Sequence, residues 1–323
     1  MTTERMRLKN EADVPSLSLL VFLDRVENNL ARMIALAGGP ARLRPHIKTH
    51  KLPQIVALQV RLGVTKCKAA TIAEAEMAAG AGASEALLAV QMVGPNVARY
   101  LALTRAFLRV AFSTLSDDAA ALTTLSQAAV TASATIEVLL DLDVGQHRAG
   151  LPPGPDAAAL CREITSLPGL RADGLHACDG HLQKRDPAEW IAASGAAFAG
   201  VTALREKLAR DGHPVSRVVC GGTPTFPAHA RRANVECSPG TCVLWDAGYA
   251  TKLPDLDFFH AAVLLTRVIS RPATDCLCLD LGHKAVASEM PHPRVVFPDL
   301  PDARAGGAVE EWPVAARTCR LRF

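Results

Sequence analysis

An alternation along the chain restricts the fold most. Short runs rich in branched aliphatic residues, each followed by an alanine-rich stretch of helical character, repeat about eight times over roughly 230 residues. The predicted strands are 17–23 (LSLLVFL), 42–48 (RLRPHIK), 66–71 (KCKAAT), 85–90 (EALLAV), 108–113 (LRVAFS), 134–143 (ATIEVLLDLD), 170–178 (LRADGLHAC) and 216–222 (SRVVCGG). Between them lie helical patterns such as DRVENNLARMIAL and TIAEAEMAAGAG; the latter opens on Thr71 with Glu74 three residues on, a capping box. Parallel strands need a long connection between them, and a helix supplies it by a right-handed crossover. An open doubly wound sheet shares this local pattern, but the number of repeats favours an α/β (β/α)8 barrel of the TIM type. Beyond about Asp255, DFFHAAVLLTRVIS and DCLCLDLGHKAV read as strands without long helices between them. The expected organisation is a barrel over 16–255 and a β-rich domain over 256–323. The stretch from Asp302 to the end shows no clear period.

Composition excludes several classes of function. The 35 basic and 32 acidic residues nearly balance, so the concentrated basic surface that nucleic acid requires is not expected. No uncharged apolar run approaches the roughly 18 residues of a membrane span, and HAAVLLTRVIS is interrupted by Arg267. Nine cysteines, an odd number, follow a charged opening without a secretory pattern, which points to a reducing cytoplasm.

In a β/α barrel the chemistry sits at the C-terminal ends of the strands. The run Arg44-Pro45-His46-Ile47-Lys48-Thr49-His50-Lys51 stands at one such end. Strand alternation would put His46, Lys48 and His50 on one face, with Lys48 inside the barrel. A lysine buried there either loses its charge or is used covalently, as a Schiff-base lysine is; the alternative is a basic loop. In the run from Asp141 to Gly150, acids and glycine surround Arg148, as for an arginine held by carboxylates or an ordinary solvated turn. Cys220-Gly221-Gly222-Thr223 and Ser238-Pro239-Gly240-Thr241 follow the last strands; glycine amides and a threonine hydroxyl suit an anion, although tight turns use the same residues. His176 and Cys178 share a face but lack further metal ligands and read as core or cofactor-lining residues. His181 offers a base at the rim.

Together these segments resemble the D-threonine aldolase and D-serine dehydratase family of fold-type III pyridoxal-phosphate enzymes, related to the N-terminal barrel of alanine racemases. RPHIKTHK is similar to the family signature whose first lysine carries the cofactor as a Schiff base, which assigns that role to Lys48. DVGQHRAG resembles the segment whose arginine contacts the pyridoxal ring, here Arg148. Gly221, Gly222 and Thr223, with Gly240 and Thr241, resemble the two phosphate-binding segments. LDLGHKAVASE, from Leu279, resembles the start of the family's C-terminal β domain. The resemblance runs from about Ser16 to Pro301.

The sequence also departs from the family. Cys178 stands where a tyrosine is usual, and no second histidine follows His181 in Leu182-Gln183-Lys184. After His283 there is no H-x-C or H-x-D pair, the family's ligands for a divalent metal such as manganese or zinc, so no metal ligand is assigned. A truncated or frame-shifted C terminus, leaving the β domain incomplete, is therefore expected. The resemblance implies a lyase of D-3-hydroxy-amino acids, yielding glycine and an aldehyde, with Lys48 and His181 as catalytic residues. The alternatives are a D-serine dehydratase yielding pyruvate and ammonia, or a cofactor-binding protein with little turnover. A homodimer is the assembly expected.

Overall fold

The computed structural model describes residues 6, 8–182, 186–274, 276–282, 285–286, 294–297, 304–305 and 319–322. Strand β1 (Ser18–Val21) leads into helix α1 (Leu23–Ala37), and α2 spans Pro53–Arg61. A parallel sheet follows, with β2 (Lys66–Ala69), β3 (Glu85–Gln91), β4 (Ala111–Ser116), β5 (Ile136–Leu142), β6 (Leu170–Ala177), β7 (Arg217–Cys220) and β8 (Glu236–Cys237) side by side in chain order. Helices α3 (Ile72–Gly80), α4 (Pro95–Ala106), α5 (Ala119–Thr131), α6 (Pro155–Ser166) and α7 (Pro187–Arg210) make the crossovers from β2 to β7. The expected cap forms at α3: Thr71 Oγ1 accepts from the Glu74 N–H at 3.1 Å, while Glu74 Oε2 accepts from Ala70 rather than from Thr71.

Between the edge strands β8 and β2, residues 43–46 close the ring. Leu43 bridges to Cys237 and His46 to Lys68, both parallel. The N–H groups of Arg44, His46 and Lys68 donate to the carbonyls of Cys237, Pro239 and Pro45, each at 2.9 Å. Pro45 brings no N–H, so the expected strand 42–48 is reduced to single bridges, and Ile47–Thr49 turn at once into a 3-10 helix. The expected strand 17–23 forms β1 but lies outside the ring, pairing antiparallel with β9 (Ala262–Leu265). The eighth parallel strand is β8, whose two residues are too few to show a period.

Leu87, Leu115, Leu139 and Val219 from four strands pack as a core cluster. The strand beginnings are occupied by ions. Arg44, 1% exposed, donates through Nε to Glu236 at 2.6 Å and through a terminal nitrogen to Glu85 at 2.5 Å. Lys66 also reaches Glu236 at 2.6 Å, and Arg217 binds Glu85 at 2.8 Å, Glu137 at 3.1 Å and Asp173. Each carboxylate in this layer thus meets a cation, as burial requires.

The chain divides into two compact units, one of residues 24–245 and 249–259, the other of 1–23, 246–248 and 260–323. The second is β-rich: besides β1 and β9, it has an antiparallel sheet in the order β10 (Val268–Ala273), β11 (Cys276–Leu279), β13 (Cys319–Arg322), β12 (Arg304–Ala305). The tail, which shows no period in sequence, contributes β13, paired with β11 from Cys276↔Arg322 to Leu279↔Cys319. Gln183, Lys184, His283 and most of 287–318 lie outside the described residues. No helix among the described residues is long and apolar enough to cross a membrane.

Candidate active site

At the C-terminal ends of the barrel strands is a cavity of about 700 Å³, inside the ~300–1,000 Å³ range of small-molecule sites. Lys48, Arg148, Gly221, Gly222, Thr223, Gly240 and Thr241 all line it. His181 does not. Its Nε2 stands 3.3 Å from the place a Cβ on Gly145 would take, and its Nδ1 is buried without a hydrogen-bond partner.

The lysine geometry differs from the expected alternation. Because the strand ends at Pro45, Lys48 rides on a 3-10 turn, with Ile47 buried and Lys48 itself exposed at the cavity wall. The buried lysine is Lys68, 2% exposed at the end of β2. Its Nζ is 3.4 Å from His176 Nε2, and His176 Nδ1 is 2.7 Å from Asp141 Oδ1. Burial, reinforced by Lys48, lowers the Lys68 amine from its ordinary value; Cys178, Asp141 and Cys220 oppose it. Burial, then the charges of Lys68 and Lys48, also push the nearby His46 ring down to about 2. Sequence reading missed Lys68. Its signal was a lysine midway through a strand, between the buried Cys67 and Ala69.

The two glycine loops meet through Thr223, whose Oγ1 accepts the N–H of Gly240 at 3.1 Å and of Thr241 at 2.9 Å. Two features demand glycine. Gly221 has φ +83°, and a Cβ there would stand 2.7 Å from His229 Cδ2; a Cβ on Gly222 would approach Gly180 Cα to 3.2 Å.

Beneath these loops lies a buried brace that spacing did not disclose. Asp179, 2% exposed, accepts from Thr225 Oγ1 and faces His229 Nε2 at 2.8 Å. A carboxylate only accepts, so the His229 proton is on Nε2, and its Nδ1 accepts from Arg232 at 3.0 Å and from the Cys220 thiol at 3.1 Å. Cysteine, histidine and aspartate in this order match a nucleophilic triad in letters alone. Cys220 is fully buried, its S–H points at the ring, and burial holds its thiol well above the usual range, so the cluster fastens the loop after β7 to the loop after β6.

Carboxylates hold the Arg148 loop by its backbone. Asp143 Oδ1 accepts from Gly145 at 2.9 Å and His147 at 3.0 Å, and Asp117 accepts from Gly150 at 2.7 Å. These acids order the turn that presents Arg148, a different use from the direct clasp expected.

Comparison with known proteins agrees with this architecture. Residues 21–246 match the family model "Alanine racemase, N-terminal domain". The chain is 33% identical over 291 residues to a D-threonine aldolase from Arthrobacter sp., covering 88% of this chain and 76% of that protein. It is 30% identical over 233 residues to a D-threo-3-hydroxyaspartate dehydratase from Delftia sp., covering 70% of this chain and 60% of that one. Among solved structures, the D-threonine aldolase from Filomicrobium marinum superposes with a TM-score of 0.84 at 31% identity, over 96% of this chain and 82% of that one. With a closed β/α ring, a cavity at its C-terminal end and a family match over most of its length, the chain belongs to the alanine racemase N-terminal domain family.

Proposed function

We propose that the cavity binds pyridoxal 5′-phosphate and that the protein is a lyase of D-3-hydroxy-amino acids, splitting D-threonine-type substrates into glycine and an aldehyde. The observation that carries this reading is the meeting of Lys48, Arg148 and both glycine-threonine loops in one cavity, in a chain 33% identical to a D-threonine aldolase. The donor set fits the cofactor. Lys48 supplies an amine for its carbonyl, Arg148 a cation, and the loops of Gly221, Gly222 and Thr223 and of Gly240 and Thr241 supply amides and hydroxyls for a phosphate. The small glycines keep that wall open to an anion.

Bound pyridoxal phosphate would supply an electron sink for the pair left when a bond to Cα breaks. The protein's own residues bind and orient. Lys48 anchors, Arg148 holds its place through the loop that Asp143 and Asp117 order, and the brace of Asp179, Thr225 and His229 keeps the phosphate wall in register. His181 is the base proposed for the substrate hydroxyl, a role that requires its ring, set against Gly145 and outside the cavity wall, to turn into the cavity. Among the described residues no group of three or more His, Cys, Asp or Glu side chains could hold a metal, and no step here is assigned to one.

The 30% identity to a dehydratase favours a second reading, loss of the β-hydroxyl to give a keto acid and ammonia. Incubation with D-threonine and D-serine, with pyridoxal phosphate and with or without manganese or zinc, separates the two. Glycine plus aldehyde is expected; pyruvate plus ammonia selects the dehydratase, and neither product reduces the protein to a binder. A cytoplasmic homodimer completes the proposal, its assembly being read by light scattering on the purified protein.

A further inference from the structure

Lys68 lines the cavity at the end of β2, and the proposed function leaves it without a role. Its Nζ is 3.4 Å from His176 Nε2, and His176 Nδ1 is 2.7 Å from Asp141 Oδ1. Since the carboxylate only accepts, the ring proton is on Nδ1 and Nε2 turns its lone pair toward Lys68. One N–H of the amine is thereby directed at the ring, which fixes where the rest of the amine points. A lysine buried for structure alone is normally paired with an acid. Here an imidazole stands in contact and the acid lies one side chain further away.

The groups facing this amine come from every wall: His46 and Lys48 from the closing segment and its turn, Asp141 from β5, His176 from β6 with Cys178 just beyond it, and Cys220 from β7. Burial acts most strongly on it, and in the direction that frees its lone pair. An amine whose lone pair is free can accept a proton.

We infer that Lys68 is a second proton-transferring residue of this cavity: its amine takes a proton from the bound amino acid and returns it to the product, while His176 and Asp141 fix its direction. The inference rests on the proposed function. In the transfer the bond from hydrogen to the substrate atom breaks, the electron pair stays on the substrate, an N–H bond forms, and Lys68 becomes an ammonium; the return step reverses this. No oxidant or further reactant is needed.

The state of the amine is read on the cofactor-free protein by trace reductive methylation with formaldehyde and borohydride from about pH 6 to pH 10. Mass spectrometry compares Lys68 with the exposed Lys51 and Lys207. Lys68 labelling is expected to persist at a pH where that of the exposed lysines has fallen about tenfold. A shared midpoint, or no labelling of Lys68 at any pH, overturns the inference. In the loaded enzyme, Lys68→Met and Lys68→Arg should both keep the cofactor absorbance and lower kcat for D-threonine by about 10²–10⁴-fold, because a guanidinium cannot accept a proton. Undiminished kcat in Lys68→Met shows that the amine is dispensable, and rescue by Lys68→Arg indicates a structural cation; either result refutes proton transfer. If the unmodified protein turns over no D-3-hydroxy-amino acid, the proposed function fails and this role with it. If it does and the variants keep its rate, only the role of Lys68 fails.

Discussion

Replacing Arg44 by methionine tests whether the ion layer at the strand beginnings stabilises the barrel. The substitution keeps most of the aliphatic stem and removes two contacts, Nε to Glu236 at 2.6 Å and a terminal nitrogen to Glu85 at 2.5 Å. Breaking a buried pair from one side costs about 3–5 kcal/mol. Here neither acid is stranded, since Glu85 keeps Arg217 at 2.8 Å and Glu236 keeps Lys66 at 2.6 Å, so the lower end, about 3 kcal/mol, applies. At about 2–4 °C per kcal/mol for a domain of this size, the Tm by circular dichroism should fall by about 6–12 °C at pH 7.

The pH dependence adds a sign. Burial works to raise the carboxyls of Glu85 and Glu236, but Arg44 and the neighbouring cations outweigh it and hold both below the usual range. Acids depressed in the folded state contribute stability above their unfolded pKa and lose it as the pH falls through the folded values. The gap between wild type and Arg44→Met should therefore be complete at pH 7 and narrow below about pH 4. A gap under about 2 °C at pH 7, or one that stays constant into acid, would refute the reasoning.

Three further outcomes are expected. Lys48→Ala should abolish the visible absorbance of the cofactor complex and the adduct trapped by borohydride, and a trapped adduct on another lysine would reassign the anchor. Gly221→Ala, forced into φ +83° with its Cβ 2.7 Å from His229, should destabilise by about 1–3 kcal/mol and weaken pyridoxal phosphate binding, measured by thermal melting and by titration of the absorbance. Asp179→Ala strands the His229 N–H and the Thr225 hydroxyl; a stability loss of about 3 kcal/mol in chemical denaturation is expected, and a loss within about 0.5 kcal/mol would show that the brace is dispensable.

The crossover alternation was legible in the sequence because helix and strand periods differ and repeat. Which runs made the ring was not. LSLLVFL has the composition of a barrel strand, yet only its partner, Ala262–Leu265, more than 240 positions away, decides where it pairs. Glu236–Cys237 is too short to carry a period, and Pro45 breaks the ladder just where alternation was used to aim Lys48. The site residues that could be read were those clustered in short stretches, Lys48, Arg148 and the glycine loops. Lys68, His176 and Asp141 come from three separate strands, and the Asp179 brace joins the segments that follow β6 and β7; only the register of the barrel brings each set together.

The bridging segment 43–46 gives the ring its thinnest seam, and Lys48 hangs directly from it. Three backbone hydrogen bonds tie that seam on both sides, with none donated by Pro45. A molecule bonded to Lys48 and gripped by the loops after β7 and β8 would act as a staple across it. Amide exchange at Arg44, His46 and Lys68 thus becomes a gauge of occupancy, its protection rising with ligand as RT ln(1 + [L]/Kd). Loading the cavity and shutting the ring are then a single equilibrium.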